Sequence, residues 1–447
     1  MKITSILFLF PLILGVTHAA GDPQPKNIIL MISDGCGYNQ ITAANYWQHG
    51  RDGVQPYQEW PVRLALCTAS AGGDGYAPQS AWKDFDWRKK GATDSAASAT
   101  AFACGLATYD GSIGMDMDGK TRLPNIVERC EKLGRATGVV TTVPLSHATP
   151  AAFVAHWPTR HAYAEIGRQM ILESPCEVIM GCGHPAYDND GRKRGKLECA
   201  YLGGRETWKR VRAGRAGADA DGDGRPDPWA FVDTLEGFRA LARGRTPKRV
   251  LGVPRVYSTL QEKRSGGSAS PEALPYATPL TGGVPTLAEM TAAALNVLDD
   301  DPEGFFVMIE GGAVDWACHG NRLDRCIEEE VDFNAAVATV IAWVEKHSNW
   351  EETLVIVTGD HETCFLYGPG SGKDEKDLWK PVVNRGKGRL PGAEWHSPSH
   401  TNALIPLFAK GAGSRLLRRL ADEHDPVRGR FLRNAEVGQA LFLLTDH

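Results

Sequence analysis

The 447-residue chain lacks a dominant charge: Lys and Arg number 49 against 54 Asp and Glu, a formal net charge of −5. That balance provides no electrostatic footprint for nucleic acid as a dedicated partner. Internal repeats and long low-complexity tracts are missing. A composition of 42% hydrophobic and 23% charged residues excludes a coiled coil, a collagen-like chain and wholesale disorder. Past the N-terminus, no apolar run reaches bilayer-spanning length without charges or Gly/Pro interruptions. The ten cysteines form no paired CxxC units, which excludes a zinc ribbon.

What is present begins with a leader. Lys2 precedes the apolar run Ile6 to Val16, followed by Thr17-His18-Ala19, with small residues at the −3 and −1 positions of a cut after Ala19. The run is too short to span a bilayer. Residues 1–19 are therefore expected to be a signal peptide, leaving residues 20–447 secreted or periplasmic with no membrane span. In that setting an even cysteine count suggests disulfides, although spacing does not reveal their pairing.

Short, nearly continuous apolar runs predict buried strands at 27–33, 138–143, 177–181, 249–253, 305–309, 353–358 and 403–409. Helical periodicity lies between them at 123–133, 162–172, 287–298 and 327–346. The alternation predicts an α/β fold: a doubly wound, mostly parallel central sheet with helices on both faces and surface insertions. Residues 182–275 read as an insertion, and 368–399 as a surface excursion whose ends return to the site. In such sheets ligands bind beyond the carboxyl ends of the strands.

Polar residues recur there. One predicted strand is followed by Asp34, another by Ser146-His147-Ala148-Thr149, a third by Glu310 with Asp315 and His319, and a fourth by Asp360-His361. A single Asp after a strand is ordinarily a helix cap, but four such ends together point to a metal site. Asp315 and His319 are one helical turn apart and can face one ion. His400 adds a third imidazole. Mixed nitrogen and oxygen donors suit zinc. In Gly91–Ala101, Thr93 or Asp94 can cap a helix whose first turn holds Ser95, where free N–H groups favour an anion. The alternative there is a buried Ala/Ser-rich helix without chemistry.

TDSAASATA, HATPAAFVAH, EGGAVDWACH, TGDHET and SHTNALIPLFAKG occur in that order between Asn27 and about Gly413, and with them the chain resembles the alkaline phosphatase family. The resemblance implies a metal-dependent hydrolase of phosphate monoesters that works through a phosphoserine on Ser95. It implies one zinc on Asp315, His319 and His400, a second zinc on Asp34, Asp360 and His361, and a magnesium near Asp34, Thr149 and Glu310. It casts Arg160 as the guanidinium that clamps phosphate oxygens, and it favours a homodimer. Two positions depart from many members: His147 stands where they carry Asp, and Trp316 where they carry Lys. The related alternatives are a phosphodiesterase or a sulfatase-like hydrolase on the same metal core. Sulfatases need a Cys or Ser in a C/S-x-P-x-R context, and none surrounds Ser95. A non-catalytic metal- or phosphate-binding surface protein would not need every reactive position intact.

A second ion motif lies in the insertion. Asp219, Asp221 and Asp223 followed by Gly224 match the start of a calcium loop, but the twelfth position is Ala230 rather than Glu. Calcium competes there with a solvated acidic turn, and Asp188–Gly191 is a weaker echo. Arg192–Arg215 reads as a solvated basic face. Cys36, Cys318 and Cys364, beside predicted ligands, read as buried thiols or disulfides rather than as soft metal ligands.

Overall fold

The computed structural model describes residues 23–73, 75–220, 224–268 and 270–445. The expected leader and Asp221 and Asp223 of the acidic loop lie outside the described residues. Eleven strands form one sheet: β1 (Asn27–Ser33), β2 (Val62–Cys67), β3 (Ala136–Pro144), β4 (Val178–Cys182), β5 (Ala230–Val232), β6 (Val250–Gly252), β7 (Phe305–Gly311), β8 (Thr353–Thr358), β9 (Ile405–Gly411), β10 (Glu423–Asp425) and β11 (Gly429–Arg433). Their spatial order is β10-β11-β2-β9-β8-β1-β7-β3-β4-β6-β5. From β8 to β5 every pairing is parallel, and β9 runs antiparallel between β2 and β8.

The sheet centre is apolar on both faces, as parallel strands under helical crossovers must be. Ile28, Leu30 and Ile32 of β1 pack into one core layer, while Ile29 and Met31 pack into the other. Seven helices matter to the site: α1 (Tyr38–His49), α2 (Ser95–Cys104), α3 (Ala148–Val154), α4 (Leu287–Leu298), α5 (Ala313–His319), α6 (Leu323–His347) and α7 (Asn434–Leu443). Helices α2, α3 and α7 cover the first face, and α4 and α6 the second. The predicted strands at 27–33 and 353–358 and the predicted helix at 287–298 match the observed bounds. Sequence patterning did not anticipate β2, β5, β10, β11, α1 or α7. The 182–275 segment does more than decorate the surface, because it contributes β5 and β6 to the sheet edge.

All ten cysteines are buried and carry free thiols, so this structure contains none of the disulfides that the even count suggests. Cys318 and Cys326 meet with their sulfurs 3.6 Å apart. Cys36, Cys326 and Cys364 share the small apolar cluster that holds Cys318. Among the described residues, no helix is long and apolar enough to cross a membrane.

One glycine ties the sheet to the site. Gly35 leaves β1 with φ +72°, and a Cβ there would lie 2.8 Å from Asp315 Cα and 2.8 Å from Thr363 Oγ1. A side chain would therefore push α5 and its carboxylate away from the strand ends. Gly35→Ala should destabilise the protein by about 2–4 kcal/mol, combining left-handed strain with overpacking, and it should lower activity. Gly53 has a similar φ of +70° but nothing within 4 Å, so Gly53→Ala should cost only about 1 kcal/mol. Denaturant unfolding of both variants measures the difference, and equal losses would rule out the clash.

Candidate active site

Four adjacent strands, β8-β1-β7-β3, deliver the site. Asp360 follows β8, Asp34 follows β1, Glu310 lies near the end of β7, His147 lies in the turn after β3 and Thr149 in the first turn of α3. Neighbouring strands are about 4.8 Å apart, so consecutive strand ends crowd three carboxylates together. Asp34, Glu310 and Asp360 are each 0% exposed. The Gly35 and His361 backbone N–H groups donate to Asp360 Oδ1 at 3.0 and 2.9 Å, and Thr141 Oγ1 donates to Glu310 Oε2. Both oxygens of Asp34, Oδ2 of Asp360, Oε1 of Glu310 and the Thr149 hydroxyl are buried with no hydrogen-bond partner. Burial, followed by the charges of neighbouring carboxylates, raises the Asp34 pKa well above its ordinary value. Burial is also the main cause that pushes Asp360 up to about 6 and Glu310 up to about 7.

The imidazoles converge beside them. His361 Nε2 lies 3.5 Å from Asp34 Oδ1 and 3.2 Å from Asp360 Oδ2. Helix α5 places Asp315 and His319 on one face, with His319 Nε2 3.4 Å from Asp315 Oδ1. His400 Nε2 is 3.5 Å from that same carboxylate oxygen and 3.0 Å from His319 Nε2. Asp34, Asp360 and His361 form one cluster of donors within metal-binding range, and Asp315, His361 and His400 form another. The outward nitrogens are held in place: His319 Nδ1 contacts the Pro398 carbonyl at 3.0 Å and His400 Nδ1 the Thr93 carbonyl at 2.9 Å. Thr363 Oγ1 donates to Asp315 Oδ1 at 2.7 Å and lies 3.1 Å from His361 Nδ1. Such outer contacts orient ligating imidazoles. Burial opposes charge on Asp315 and His400, but their mutual attraction overcomes it. Asp315 stays below the usual carboxylate range and His400 rises to about 9.

The excursion brings His400 back because its ends pair with the segment after β8. Glu394–Trp395 pairs antiparallel with Leu366–Tyr367, and His400–Thr401 with Glu362–Thr363. Cys364 and Phe365 turn the chain there in the left-handed region, at φ 68° and 55°.

Ser95 opens α2, and all ten residues of that helix are buried. Its small side chains permit close packing: a Cβ on Gly438 of α7 would lie 2.5 Å from the Ala101 carbonyl oxygen. Asp94 is the N-cap, its Oδ1 accepting from Ala97 N–H at 2.9 Å and Gly111 N–H at 3.0 Å. Asp94 Oδ2 accepts from Arg160 at 2.8 Å, so one carboxylate both starts the helix and aims the guanidinium. Ser98 Oγ donates to the Asp360 carbonyl at 2.7 Å, which ties the helix to the loop after β8. Ser95 Oγ sits 3.1 Å from Nε2 of His361, the residue that belongs to both donor clusters.

Ser95, His147, Arg160, Lys263, Asp315, Trp316, His319 and His400 line an open cleft of about 370 Å³. His147 packs against Tyr163, ring centres 6.2 Å apart, and against Trp316 at 5.4 Å, and its Nδ1 is buried without a partner. Burial first, then the Arg160 charge, lowers its pKa to about 3, so the ring is neutral. Sequence reasoning missed Lys263, Thr363 and Ser98. A lysine in an unpatterned insertion carries no signal, and neither hydroxyl differs in sequence from an ordinary one. Of the calcium candidates, Asp219 accepts from Gly224 N–H at 3.0 Å within its own loop. Asp188 and Asp190 are turn residues: Asp188 Oδ1 accepts from the Asp190 and Arg192 backbones, and Asp190 Oδ1 from Ser265 N–H.

Comparison with known proteins agrees with this geometry. Residues 25–389 match the family described as Alkaline phosphatase. The chain is 32% identical over 364 residues to Alkaline phosphatase H of Pseudomonas aeruginosa, covering 76% of this chain and 69% of the relative. It is 30% identical over 441 residues to the alkaline phosphatase of Escherichia coli, covering 90% and 85%. In structure it resembles the alkaline phosphatase of the Antarctic bacterium TAB5, with a TM-score of 0.63 at 27% identity over 94% of this chain and 98% of the other. A histidine-to-aspartate variant of that enzyme, solved with Mg bound in the site called M3, matches at 25% identity and a TM-score of 0.64 over 95% and 99%. The chain belongs to the alkaline phosphatase family and is a phosphoric monoester hydrolase.

Proposed function

We propose that residues 20–447 form one catalytic unit that hydrolyses phosphate monoesters through a phosphoserine on Ser95, with two zinc ions and one magnesium ion. The observation that carries this reading is the Ser95 hydroxyl in the first turn of a helix, 3.1 Å from Nε2 of His361, a residue that belongs to two donor clusters. The donor chemistry fits the ions. Nitrogen and carboxylate donors at Asp34/Asp360/His361 and at Asp315/His319/His400 suit zinc, while the unpartnered oxygens of Asp34, Thr149 and Glu310 suit magnesium. Buried carboxylates with unsatisfied oxygens are costly without a counter-charge. Bound at these donors, divalent ions would supply Lewis-acid stabilisation of phosphoryl charge and a lowered hydroxyl pKa at Ser95.

The chain's own groups do the rest. The free N–H groups at the start of α2 and the Arg160 guanidinium attract the phosphoryl oxygens. The Asp94 contact holds Arg160 in place, and burial keeps Ser95 from bulk water. Ser95 Oγ attacks phosphorus, the ester oxygen leaves on the opposite side, and water then cleaves the phosphoserine. Export through residues 1–19 and assembly as a homodimer belong to this proposal on the leader-like sequence and the family resemblance.

A chromogenic phosphomonoester assay with and without chelator tests the core claim, and activity that survives exhaustive chelation would overturn it. Ser95→Ala should lower turnover on the order of a thousandfold or more while zinc content by mass spectrometry stays near wild type. The neutral His147 ring supplies no anionic donor, and the aspartate variant of the Antarctic enzyme was solved with Mg in M3. His147→Asp should therefore increase magnesium affinity about tenfold, read by titrating activity against magnesium. An unchanged titration would place His147 outside that site's reach.

Glu310 tests the electrostatic cost. Its pKa in the fold is raised to about 7, so the metal-free fold prefers the protonated acid, and the penalty grows as pH rises toward and through 7. In chelated protein, Glu310→Gln should melt above wild type at pH 8. The gain should shrink as pH falls and vanish near about 4, where both side chains are neutral. Adding metal should reverse the order, because the variant has lost a donor. A chelated variant that melts below wild type at pH 8 would refute the penalty.

A further inference from the structure

The floor and the rim of the cleft differ in kind. Ser95 at the floor is 1% exposed, whereas the side chain of Lys263, delivered by the 182–275 segment, is 44% exposed. An in-line displacement expels the leaving group on the side opposite the attacking oxygen. With Ser95 at the floor, the leaving group points toward the rim. There Lys263 Nζ lies 5.5 Å from the centre of the Trp316 ring, and both residues line the cleft that holds Ser95 and Arg160.

A lysine on a flexible four-carbon stem ordinarily wanders through solvent. Here the ammonium is held 3.1 Å from Glu262 Oε1. Glu262 is itself buried, and its other oxygen has no hydrogen-bond partner. A buried carboxylate on one side and an aromatic ring on the other restrict where Nζ can go, and the remaining N–H groups are free to face the cleft. The transferred phosphoryl group is already served by Arg160 and the start of α2. The Lys263 charge therefore falls to whatever part of the substrate occupies the rim.

We propose that Lys263 and Trp316 form a leaving-group subsite that favours phosphate monoesters whose leaving group carries a second anionic group. The subsite rests on the reading of Ser95 as the nucleophile of a phosphomonoesterase. Trp316 supplies a flat wall, and Lys263 supplies the charge that ranks one ester above another.

The test compares 3-phosphoglycerate with glycerol 3-phosphate on the metal-loaded enzyme. Both release a primary alkoxide, but only the first leaving group carries a carboxylate. In Lys263→Ala the ratio of kcat/KM for the two substrates should fall about two- to fivefold, the range of one partly screened charge pair, with the loss mainly in KM for phosphoglycerate. Lys263→Glu should lower the ratio further, and Lys263→Arg should keep most of it. High salt should compress these differences. A melting curve for each variant checks folding, and Lys263→Gln replaces any variant that fails. A ratio equal to wild type in both the Ala and Glu variants overturns the subsite, whether or not both rates fall together. A wild-type enzyme inert toward both esters would instead overturn the phosphomonoesterase reading itself.

Discussion

Three carboxylates buried side by side are the constraint around which this molecule is built. Asp34, Glu310 and Asp360 are fully enclosed, and each keeps at least one oxygen without a hydrogen-bond partner. Like charges in a low-dielectric setting repel strongly, and burial removes the water that would screen them. A fold organised only for stability would replace them with apolar side chains. Their burial together supports the proposed cation site, and the raised pKa values of all three express the same cost.

The surroundings hold this high-energy cluster in shape. Ser98 links α2 to the backbone of Asp360, and Thr363 bridges Asp315 and His361. Asp94 caps the helix and positions Arg160 at once. Beneath the cluster, Ser33 donates to the buried Glu330 of α6 at 2.7 Å. The Ser98–Asp360, Thr363–Asp315, Asp94–Arg160 and Ser33–Glu330 contacts join segments far apart in sequence. The arrangement therefore depends on the whole sheet being assembled rather than on any one loop.

Depth within the cleft separates two tasks. On the proposed reading, Ser95 and Arg160 address the phosphoryl unit from the deeper part of the cleft. The rim carries Trp316 and Lys263, the latter supplied by a segment that adds two strands to the sheet edge. On that reading the chemistry sits at four central parallel strand ends, while the rim comes partly from a peripheral addition. Such a division lets substrate preference change without disturbing the reactive groups.

The sequence by itself determined the elements whose signals are short-range. Near-continuous apolar runs located β1 and β8, helical periodicity located α4, and the i, i+4 spacing put Asp315 and His319 on one helix face. The local capping pattern placed Ser95 in a first turn. Short or half-buried elements such as β5, three residues of intermediate exposure, left no comparable pattern. Only the tertiary structure decided that β8, β1, β7 and β3 are neighbours, and so that their polar ends meet. It also decided how the expected return of His400 is made, by pairing His400–Thr401 with Glu362–Thr363, and that Lys263 reaches the cleft. Strand order and loop return follow from long-range packing of the two helical layers on the sheet, and such packing leaves no period in the sequence to read.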